Sequence, residues 1–296
     1  MDAKYSIKDL ERFSGIKAHT IRIWEQRYKI LKPTRTNNNI RFYSNDDLKL
    51  ILNLSVLNTN GYKISQLANL SEEEINDTVK KVVAKKFAQQ EQLNALTISM
   101  IDLDEERFNE IIENNIAHSG FKDTIENTIF PFLRQTGFMW QTGTIFPAQE
   151  HFLSNLIRQK LISKIASYNF RTSEKSKKFL LFLPEKELHE ISLLYFQYLV
   201  LSNGHQCIYL GQSVPFEDLL KVLQIKKPYG IITIFTQPFE DNLLQDYIDS
   251  LAKECKDYRI IVSGFQIFTQ SKLILSPNIE AIKNSQDLEN LLTQIS

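Results

Sequence analysis

The pattern of hydrophobic and polar residues divides the chain into three regions. In the first region apolar residues recur every three or four positions, as Ile7, Leu10 and Phe13 do, which is the spacing of one helix face. Helical spacing interrupted by short polar breaks then continues to about residue 174. From Phe179 onward, short apolar runs alternate with helical stretches. The sequence therefore predicts a multi-domain α and α/β protein.

The first region, residues 1–75, is predicted to be a winged helix-turn-helix. A break at Ser14-Gly15-Ile16 separates a first helix from a second one at Ala18–Tyr28. Asparagines at 37–39 then lie between two short extended pieces, a pattern typical of a β-hairpin, or wing. Ser44, with Asp47 three positions later, is predicted to cap a further helix. Because the second helix of such a domain enters the major groove, we call this region the DNA-binding head.

The second region, residues 76–174, is predicted to be a helical bundle. A capping box at Ser71 and Glu74 begins a charged linker helix that runs to Lys86. Four helical stretches separated by short breaks follow, at residues 87–100, 105–118, 122–139 and 146–166. Four helices joined by short connections are typical of a bundle.

The third region, residues 175–296, is predicted to be an α/β module. Apolar strands are expected at 179–183, 206–210, 230–235 and 259–262, with a weaker one near 273–274. Helices are expected between and after them, at 189–201, 215–223, 242–255 and 285–293. This alternation predicts a doubly wound parallel sheet of the flavodoxin-like or Rossmann-like kind. No Gly-rich phosphate loop follows a predicted strand, which argues against dinucleotide binding.

Composition and charge exclude some classes of protein and favour others. A hydrophobic content of 43% and a charged content of 24% are ordinary for a soluble protein, and no apolar run approaches the roughly 20 residues that span a bilayer. Two cysteines, Cys207 and Cys255, form no disulfide framework or metal-ligand pattern. We therefore expect a cytoplasmic protein with no membrane partner. Residues 1–70 hold 12 Lys and Arg against 6 Asp and Glu, which suits contact with nucleic acid.

The second predicted helix carries side chains suited to reading DNA. His19 and Arg22 lie three positions apart on one face, while Thr20 and Trp24 share a neighbouring face. Arg22 can reach a phosphate or a guanine edge, and hydroxyls and aromatic rings pack on the sugar-phosphate backbone. The predicted wing adds two more cations, Arg35 and Arg41.

These residues belong to a longer motif that closely resembles the head of the MerR family of transcription regulators. The matching residues are Tyr5-Ser6-Ile7, Gly15, Thr20-Ile21-Arg22-Ile23-Trp24-Glu25, Arg27, Pro33, Arg35-Thr36, Asn39-Ile40-Arg41-Phe42-Tyr43, Leu57 and Gly61-Tyr62. The resemblance covers about residues 4–75 and implies a dimerising winged helix that binds near-palindromic double-stranded promoter DNA. It implies DNA contacts by these residues: His19, Thr20, Arg22 and Trp24 from the recognition helix, and Arg41 and Tyr43 from the wing.

Two other groups of residues stand where a ligand site is expected. His189 follows the first strand of the α/β module and precedes an amphipathic segment at 191–200, and ligands of parallel sheets bind where strands end. In the bundle, Trp140 is followed after nine residues by Glu150-His151, near a helix start marked by Pro147. An indole and a Glu-His pair could close over a flat ligand. Roles as ordinary core or surface residues also explain both groups.

A bundle with this Trp and Glu-His spacing, followed by such a sheet, resembles the cobalamin-binding module of photoreceptor-type MerR regulators and that of methionine synthase. In that family the turn after the first strand carries acid-x-His-x-x-Gly, which Glu187-Leu188-His189-Glu190-Ile191-Ser192 matches at the acid and the histidine. The resemblance covers about residues 85–296. It implies that His189 is the lower ligand of cobalt and that Glu187 orients its ring.

The same resemblance assigns the remaining cofactor contacts. Trp140, Glu150 and His151 would cover the upper face, where an adenosyl group sits. Three departures from the family pattern weaken the resemblance. Ser192 replaces the family's glycine, and Ser263-Gly264-Phe265 replaces a Gly-Gly pair that accommodates the cofactor's tail. Gln141 stands where light-sensing members have a cobalt-ligating histidine, so light sensing by that route is not expected. The family's serine on the third strand has two candidates here, Thr233 and Thr236.

The sequence thus predicts a DNA-binding transcription regulator, a homo-oligomer and not an enzyme, that senses a cobalamin, with adenosylcobalamin the expected form. One alternative keeps the regulator but makes its C-terminal module cofactor-free, serving oligomerisation or protein binding. A corrinoid-dependent group-transfer enzyme is a weaker alternative, because the head has no role in such chemistry.

Overall fold

The computed structural model of the chain describes residues 5–35, 41–83, 89–141, 143–168, 175–237, 243–270 and 273–295. The chain forms two compact units, Met1–Leu156 and Ile157–Ser296. The predicted domain boundaries at residues 75 and 174 stay predictions, since the first unit contains both the head and most of the helical bundle. Within the described ranges, no helix combines the length and the apolar character that crossing a membrane requires.

The first unit is mainly helical and contains one short hairpin. Its elements in chain order are α1 (Ile7–Ser14), α2 (Ala18–Tyr28), β1 (Thr34–Arg35), β2 (Arg41–Phe42), α3 (Asn45–Thr59), α4 (Ile64–Leu67), α5 (Glu72–Val83), α6 (Gln89–Asp102), α7 (Glu105–Ser119), α8 (Phe121–Thr124), α9 (Phe130–Gln141) and α10 (Pro147–Ala166), the last continuing into the second unit. The helix-turn-helix is α1 and α2, and Gly15 between them has φ 72°, a left-handed conformation that favours glycine. The wing is β1 and β2, whose Asn-rich turn at 37–39 lies outside the described residues.

Helix starts in this unit follow the predicted capping residues. The Ser44 hydroxyl accepts a hydrogen bond from the Asp47 amide at 3.1 Å, and the Asp47 carboxylate accepts one from the Ser44 amide at 2.9 Å. Ser71 and Glu74 make the same reciprocal pair at 3.2 and 2.8 Å. Both capping boxes are confirmed, because each satisfies backbone donors that the first helical turn leaves open.

The head packs directly on the bundle through α3 and α6. Residues 51–57 of α3 and residues 93–101 of α6 are all buried. A surface helix buries only one stripe, whereas α6 is enclosed by α3, α7 and α9. The apolar surface of α6 is therefore covered partly by the head.

The predicted helix at 122–139 contains a wide turn. A π-helical segment, Ile125–Ile129, joins α8 to α9. Pro131 lies two residues beyond this segment. Because proline has no amide hydrogen and its ring crowds the preceding turn, an ordinary α-helical turn there would lose a backbone hydrogen bond. The segment stays helical, but with this local widening.

The second unit is a five-stranded parallel sheet with helices. Its elements are β3 (Lys178–Pro184), α11 (Ile191–Ser202), β4 (Gln206–Val214), α12 (Phe216–Lys226), β5 (Gly230–Ile234), α13 (Leu243–Glu254), β6 (Arg259–Ser263), α14 (Phe265–Thr269), β7 (Ile279–Ala281) and α15 (Ser285–Gln294). The strand order is β4-β3-β5-β6-β7, and all neighbours are parallel. This is the flavodoxin-like order, in which the chain changes direction across the sheet at the first strand. The predicted fold class is confirmed.

Two local predictions in this unit are wrong. The fifth strand is β7 and not residues 273–274, because the Ile274 amide and carbonyl are bonded by the Gln245 side chain at 2.9 Å each instead of by a strand. The segment after His189 is not amphipathic, because eight of the 12 residues of α11 are buried, all of them between Leu193 and Leu201. A helix covered on most sides shows no polar stripe.

Candidate functional site

The recognition helix presents the predicted DNA-facing side chains to solvent. His19 and Arg22 on α2 are exposed, and the Thr20 hydroxyl lies 3.3 Å from the His19 ring. Ile21, on the opposite face, is fully buried and anchors the helix. This arrangement leaves a polar, basic face free for a DNA groove.

The wing is tied to the recognition helix by one carboxylate. Arg35 on β1 is exposed and lies opposite Arg41 on β2. Glu25 of α2 accepts a hydrogen bond from Arg41 Nε at 3.1 Å and another from the Tyr43 hydroxyl at 3.1 Å. Sequence reasoning matched Glu25 to the motif without giving it a role, because its partners lie 16 and 18 positions away.

Two residues predicted to face DNA belong to the core of the head. Trp24 is 7% exposed and Tyr43 is 1% exposed. In the protein without DNA, both side chains therefore pack mainly within the head, Trp24 on the recognition helix and Tyr43 beside the wing. Contact of these two residues with DNA stays a prediction.

In the bundle, the predicted cap residues lie around the connection between α9 and α10. Trp140 is 55% exposed, which is unusual for so large an apolar side chain. His151 Nδ1 lies 2.9 Å from Glu150 Oε2, and the other oxygen of Glu150 accepts a hydrogen bond from Ser154. These residues belong to the first compact unit, and His189 belongs to the second.

In the α/β module, Glu187 and His189 form a close pair at the carboxyl end of β3. The His189 ring nitrogen Nδ1 lies 2.8 Å from Glu187 Oε1, and the His189 amide donates to the same oxygen at 3.0 Å. The Glu187 side chain is 1% exposed, whereas that of His189 is 59% exposed. An imidazole whose Nδ1 donates to a carboxylate presents Nε2 as its basic atom.

The second oxygen of Glu187 fixes this turn to the neighbouring strand. Oε2 accepts hydrogen bonds from the backbone amides of Thr236 and Gln237, which follow β5, at 2.8 and 2.7 Å. Burial alone would raise the pKa of the Glu187 carboxyl, but the hydrogen bonds from His189, Gln237 and Thr236 outweigh it and lower the pKa from 4.5 to about 2. Glu187 is therefore a carboxylate at neutral pH.

The other side of the turn is held by the end of β4. The Lys186 amide donates to the Ser213 hydroxyl at 3.0 Å, and the Ser213 amide donates to the Glu187 carbonyl at 3.2 Å. The Gln212 side chain donates to the Leu188 carbonyl. The turn that carries His189 is thus held by the ends of both neighbouring strands, β4 and β5, and it lies beside the switch point between β3 and β5.

A cluster of polar side chains around a buried carboxylate, which sequence reasoning missed, lies next to His189. The Glu190 side chain is 7% exposed, pairs with Arg158 Nε and accepts a hydrogen bond from the Tyr209 hydroxyl at 3.1 Å. Burial and the neighbouring Glu190 raise the pKa of Tyr209, so its hydroxyl stays protonated as a donor. Glu190 is the residue before α11, so this cluster helps to fix where the helix begins.

Most of the residues predicted to contact the cofactor's tail already make contacts within the α/β module. Ser192 is half-buried in the first turn of α11. The Ser263 hydroxyl donates to the Ile282 carbonyl at 2.8 Å. Gly264 has φ 107°, and a Cβ there would lie 2.3 Å from the Phe235 carbonyl oxygen. These contacts account for Ser263 and Gly264 without a ligand, so their cofactor role stays a prediction.

Several features of the α/β module fit a cobalamin. The Glu187–His189 pair supplies a basic, oriented imidazole, the kind of ligand that cobalt accepts. Thr233, a sequence candidate for the family's serine, is fully buried on β5, and its hydroxyl has no hydrogen-bond partner among the described residues. Such an orphaned group is rare unless a ligand or water satisfies it. Leu188 and Phe265, at carboxyl ends of β3 and β6, are 56% and 66% exposed and offer apolar contact.

Comparison with known protein families gives two matches. A family described as "MerR HTH family regulatory protein" matches residues 5–74. A family described as "B12 binding domain" matches residues 92–162, which contain Trp140, Glu150 and His151.

Two curated relatives come from Myxococcus xanthus. The HTH-type transcriptional repressor CarH is 28% identical over 245 residues, covering 80% of this chain and 81% of that protein. The HTH-type transcriptional repressor CarA is 22% identical over 291 residues, covering 98% of this chain and 96% of its own length.

Among solved structures, the Methanosarcina barkeri monomethylamine corrinoid protein is similar with a TM-score of 0.54. The match covers 71% of this chain and 100% of that chain at 16% identity, so the similarity is one of fold.

Proposed function

We propose that the chain is a MerR-type transcription regulator with a B12 binding domain, that His189 ligates the cobalt of adenosylcobalamin, and that cofactor binding alters promoter binding. The observation that carries this proposal is the Glu187–His189 pair, in which a buried carboxylate holds an exposed imidazole. Cobalamin, when bound, would supply a cobalt that accepts a nitrogen ligand, and the His189 ring would provide that nitrogen.

The chain's own residues would divide the binding work. His189 would present Nε2, and Glu187 would keep the ring in the required tautomer and orientation. The Thr233 hydroxyl would satisfy a polar atom of the cofactor, and Leu188 would contact its apolar surface. Trp140, Glu150 and His151, which lie in the region matching the B12 binding domain, would supply further contacts to the cofactor.

The DNA-binding function would use the exposed face of the head. His19, Thr20 and Arg22 would enter the major groove, and Arg35 and Arg41 would contact the flanking backbone. We further propose that the protein acts in the cytoplasm as a homo-oligomer, because two heads on paired half-sites bind more tightly than one. In this proposal the protein does no chemistry, in keeping with relatives named as repressors.

An absorbance spectrum tests the cofactor assignment. Purified protein is mixed with adenosylcobalamin in the dark, desalted and compared with His189→Ala. We expect the wild type to retain the corrin with a spectrum typical of a nitrogen ligand from the protein, and the variant to lose that signature. His118→Ala, which removes an exposed histidine from the bundle, is the matched control and should behave as the wild type.

The alternatives give different results in the same experiment. If the wild type retains no corrin, the cofactor-free module becomes the better account of residues 175–296. If His189→Ala retains corrin with an unchanged spectrum, the cofactor is bound but His189 is not its ligand.

A further inference from the structure

Tyr5 joins the DNA-binding head to the connection between α9 and α10. Its side chain is 1% exposed, and its hydroxyl donates to the Thr144 carbonyl at 2.8 Å. The same hydroxyl lies 2.6 Å from the side-chain oxygen of Asn45, at the start of α3. Thr144 lies in the turn that carries Trp140 on one side and Glu150 on the other. One buried hydroxyl therefore contacts both the head and the turn that bears the predicted cofactor cap.

From Tyr5, a continuous set of hydrogen bonds reaches the DNA-facing residues. The backbones of Tyr5 and Tyr43 exchange two hydrogen bonds of 2.9 Å each. The Tyr43 hydroxyl donates to Glu25 at 3.1 Å, and Glu25 holds Arg41 at 3.1 Å. Each step is a direct hydrogen bond, so a displacement of Thr144 would be passed to the wing and the recognition helix.

Other contacts keep the head against the bundle near the same place. Arg12 of α1 lies over the ring of Phe138, two residues before Trp140. Lys49 of α3 pairs with Asp102 at the end of α6. His19 and Arg22 stay exposed in this docked arrangement, so docking orients the DNA-binding face without covering it.

We propose that Tyr5 is a positioning residue of the DNA-binding wing, through which the state of the turn at Thr144 sets the orientation of Arg41 and the recognition helix. This inference rests on the proposed function, since it is cofactor contact at Trp140, Glu150 and His151 that would move the turn. Tyr5 touches neither DNA nor cofactor in this scheme and acts through Thr144 and Tyr43.

Tyr5→Phe is the variant of choice, because it removes the hydroxyl and keeps the ring and the backbone bridge to Tyr43. The first measurement is hydrogen exchange of the full-length protein without cofactor. We expect amides in residues 143–149 and 41–47 to exchange about threefold to tenfold faster, the range for loss of one neutral hydrogen bond.

The second measurement is operator affinity with and without adenosylcobalamin. The ratio of the operator dissociation constants measured with and without adenosylcobalamin should be about threefold to tenfold closer to one in Tyr5→Phe than in the wild type. Corrin retention should be the same in both proteins. Ser55→Ala is the matched control, because it removes a buried 2.7 Å hydrogen bond to the Ser14 carbonyl inside the head. It should leave both the ratio and exchange at 143–149 as in the wild type.

The outcomes separate this inference from the proposed function. If the wild type retains no corrin, the proposed function fails, and the exchange measurement alone decides whether Tyr5 couples the turn to the wing. Unchanged exchange at 143–149 overturns the inference. If corrin is retained but the affinity ratio is one in the wild type, or is the same in Tyr5→Phe, the inference is also overturned.

Discussion

At the scale of single residues, the α/β module concentrates its polar chemistry in one carboxylate. Glu187 orients the His189 ring with one oxygen and binds two backbone amides after β5 with the other. The two functions are linked, because the amides that hold the carboxylate in place also keep it ionised. A ring fixed in this way would lose little freedom on binding the cobalt that we propose, which would favour affinity.

Glu187 should make stability depend on pH at the acid end. The pKa of this carboxyl is about 2 in the fold and near 4.5 when unfolded, so its stabilising contribution is present above about pH 4.5 and lost as pH falls toward 2. We expect urea unfolding to show that the stability difference between wild type and Glu187→Gln shrinks by about 2–3 kcal/mol from pH 5 to pH 2.

Glu185→Gln is the control, since it removes an exposed carboxylate from the same turn. A difference between wild type and Glu187→Gln that stays constant over this pH range would contradict the role assigned to the ionised carboxylate.

At the scale of elements, the ends of β5 and β6 are packed backbone against backbone. The Phe235 amide donates to the Ser263 carbonyl at 2.9 Å, and the Gln266 amide donates to the Phe235 carbonyl at 3.1 Å. Gly264 lies between these bonds, where no side chain fits. Gly264 is also the residue before α14, which begins directly after β6.

Gly264→Ala should therefore lower the free energy of unfolding by about 2–4 kcal/mol. The added Cβ would clash with the Phe235 backbone, and alanine would be forced into a φ that favours glycine. The control is Gly137→Ala within α9, where a Cβ meets nothing within 4 Å. That substitution should be stabilising by up to about 1 kcal/mol, since alanine favours helix. Denaturant unfolding of both variants measures the contrast, and equal effects would refute the packing argument.

Sequence patterns predicted most elements because strands β3, β5 and β6 are almost wholly buried and read as continuous apolar runs. The patterns failed where contacts between residues far apart in the sequence decide whether a segment is a strand or a side chain is buried. Gln245 occupies the backbone groups of Ile274, and Tyr43 is covered by its own domain, and neither fact is visible locally. The pair Glu187–His189 was predicted through the resemblance to the cobalamin-binding family, whose motif places an acid two positions before the histidine. The cluster of Glu190 with Arg158 and Tyr209 was not, since it joins three separate elements.

At the scale of the whole molecule, the head and the bundle share one apolar interior in the first unit. Residues 51–57 of α3 and 93–101 of α6 are buried together, so neither part covers its apolar surface alone. We expect the first unit to lose structure in one cooperative transition. Hydrogen exchange in denaturant should give the same opening free energy for α3 and α6, within about 1 kcal/mol. Separate unfolding of the head at much lower denaturant would contradict this.

Docking of the head also bears on the architecture of the operator. A head held by Tyr5, Arg12 and Lys49 cannot swivel freely, so two heads in an oligomer would present their recognition helices at a set separation and rotational phase. DNA completes one helical turn in about 10 base pairs, so about five inserted base pairs turn the second half-site to the opposite face of the duplex. Such a regulator would discriminate promoters by the length of the spacer as strictly as by the bases it reads.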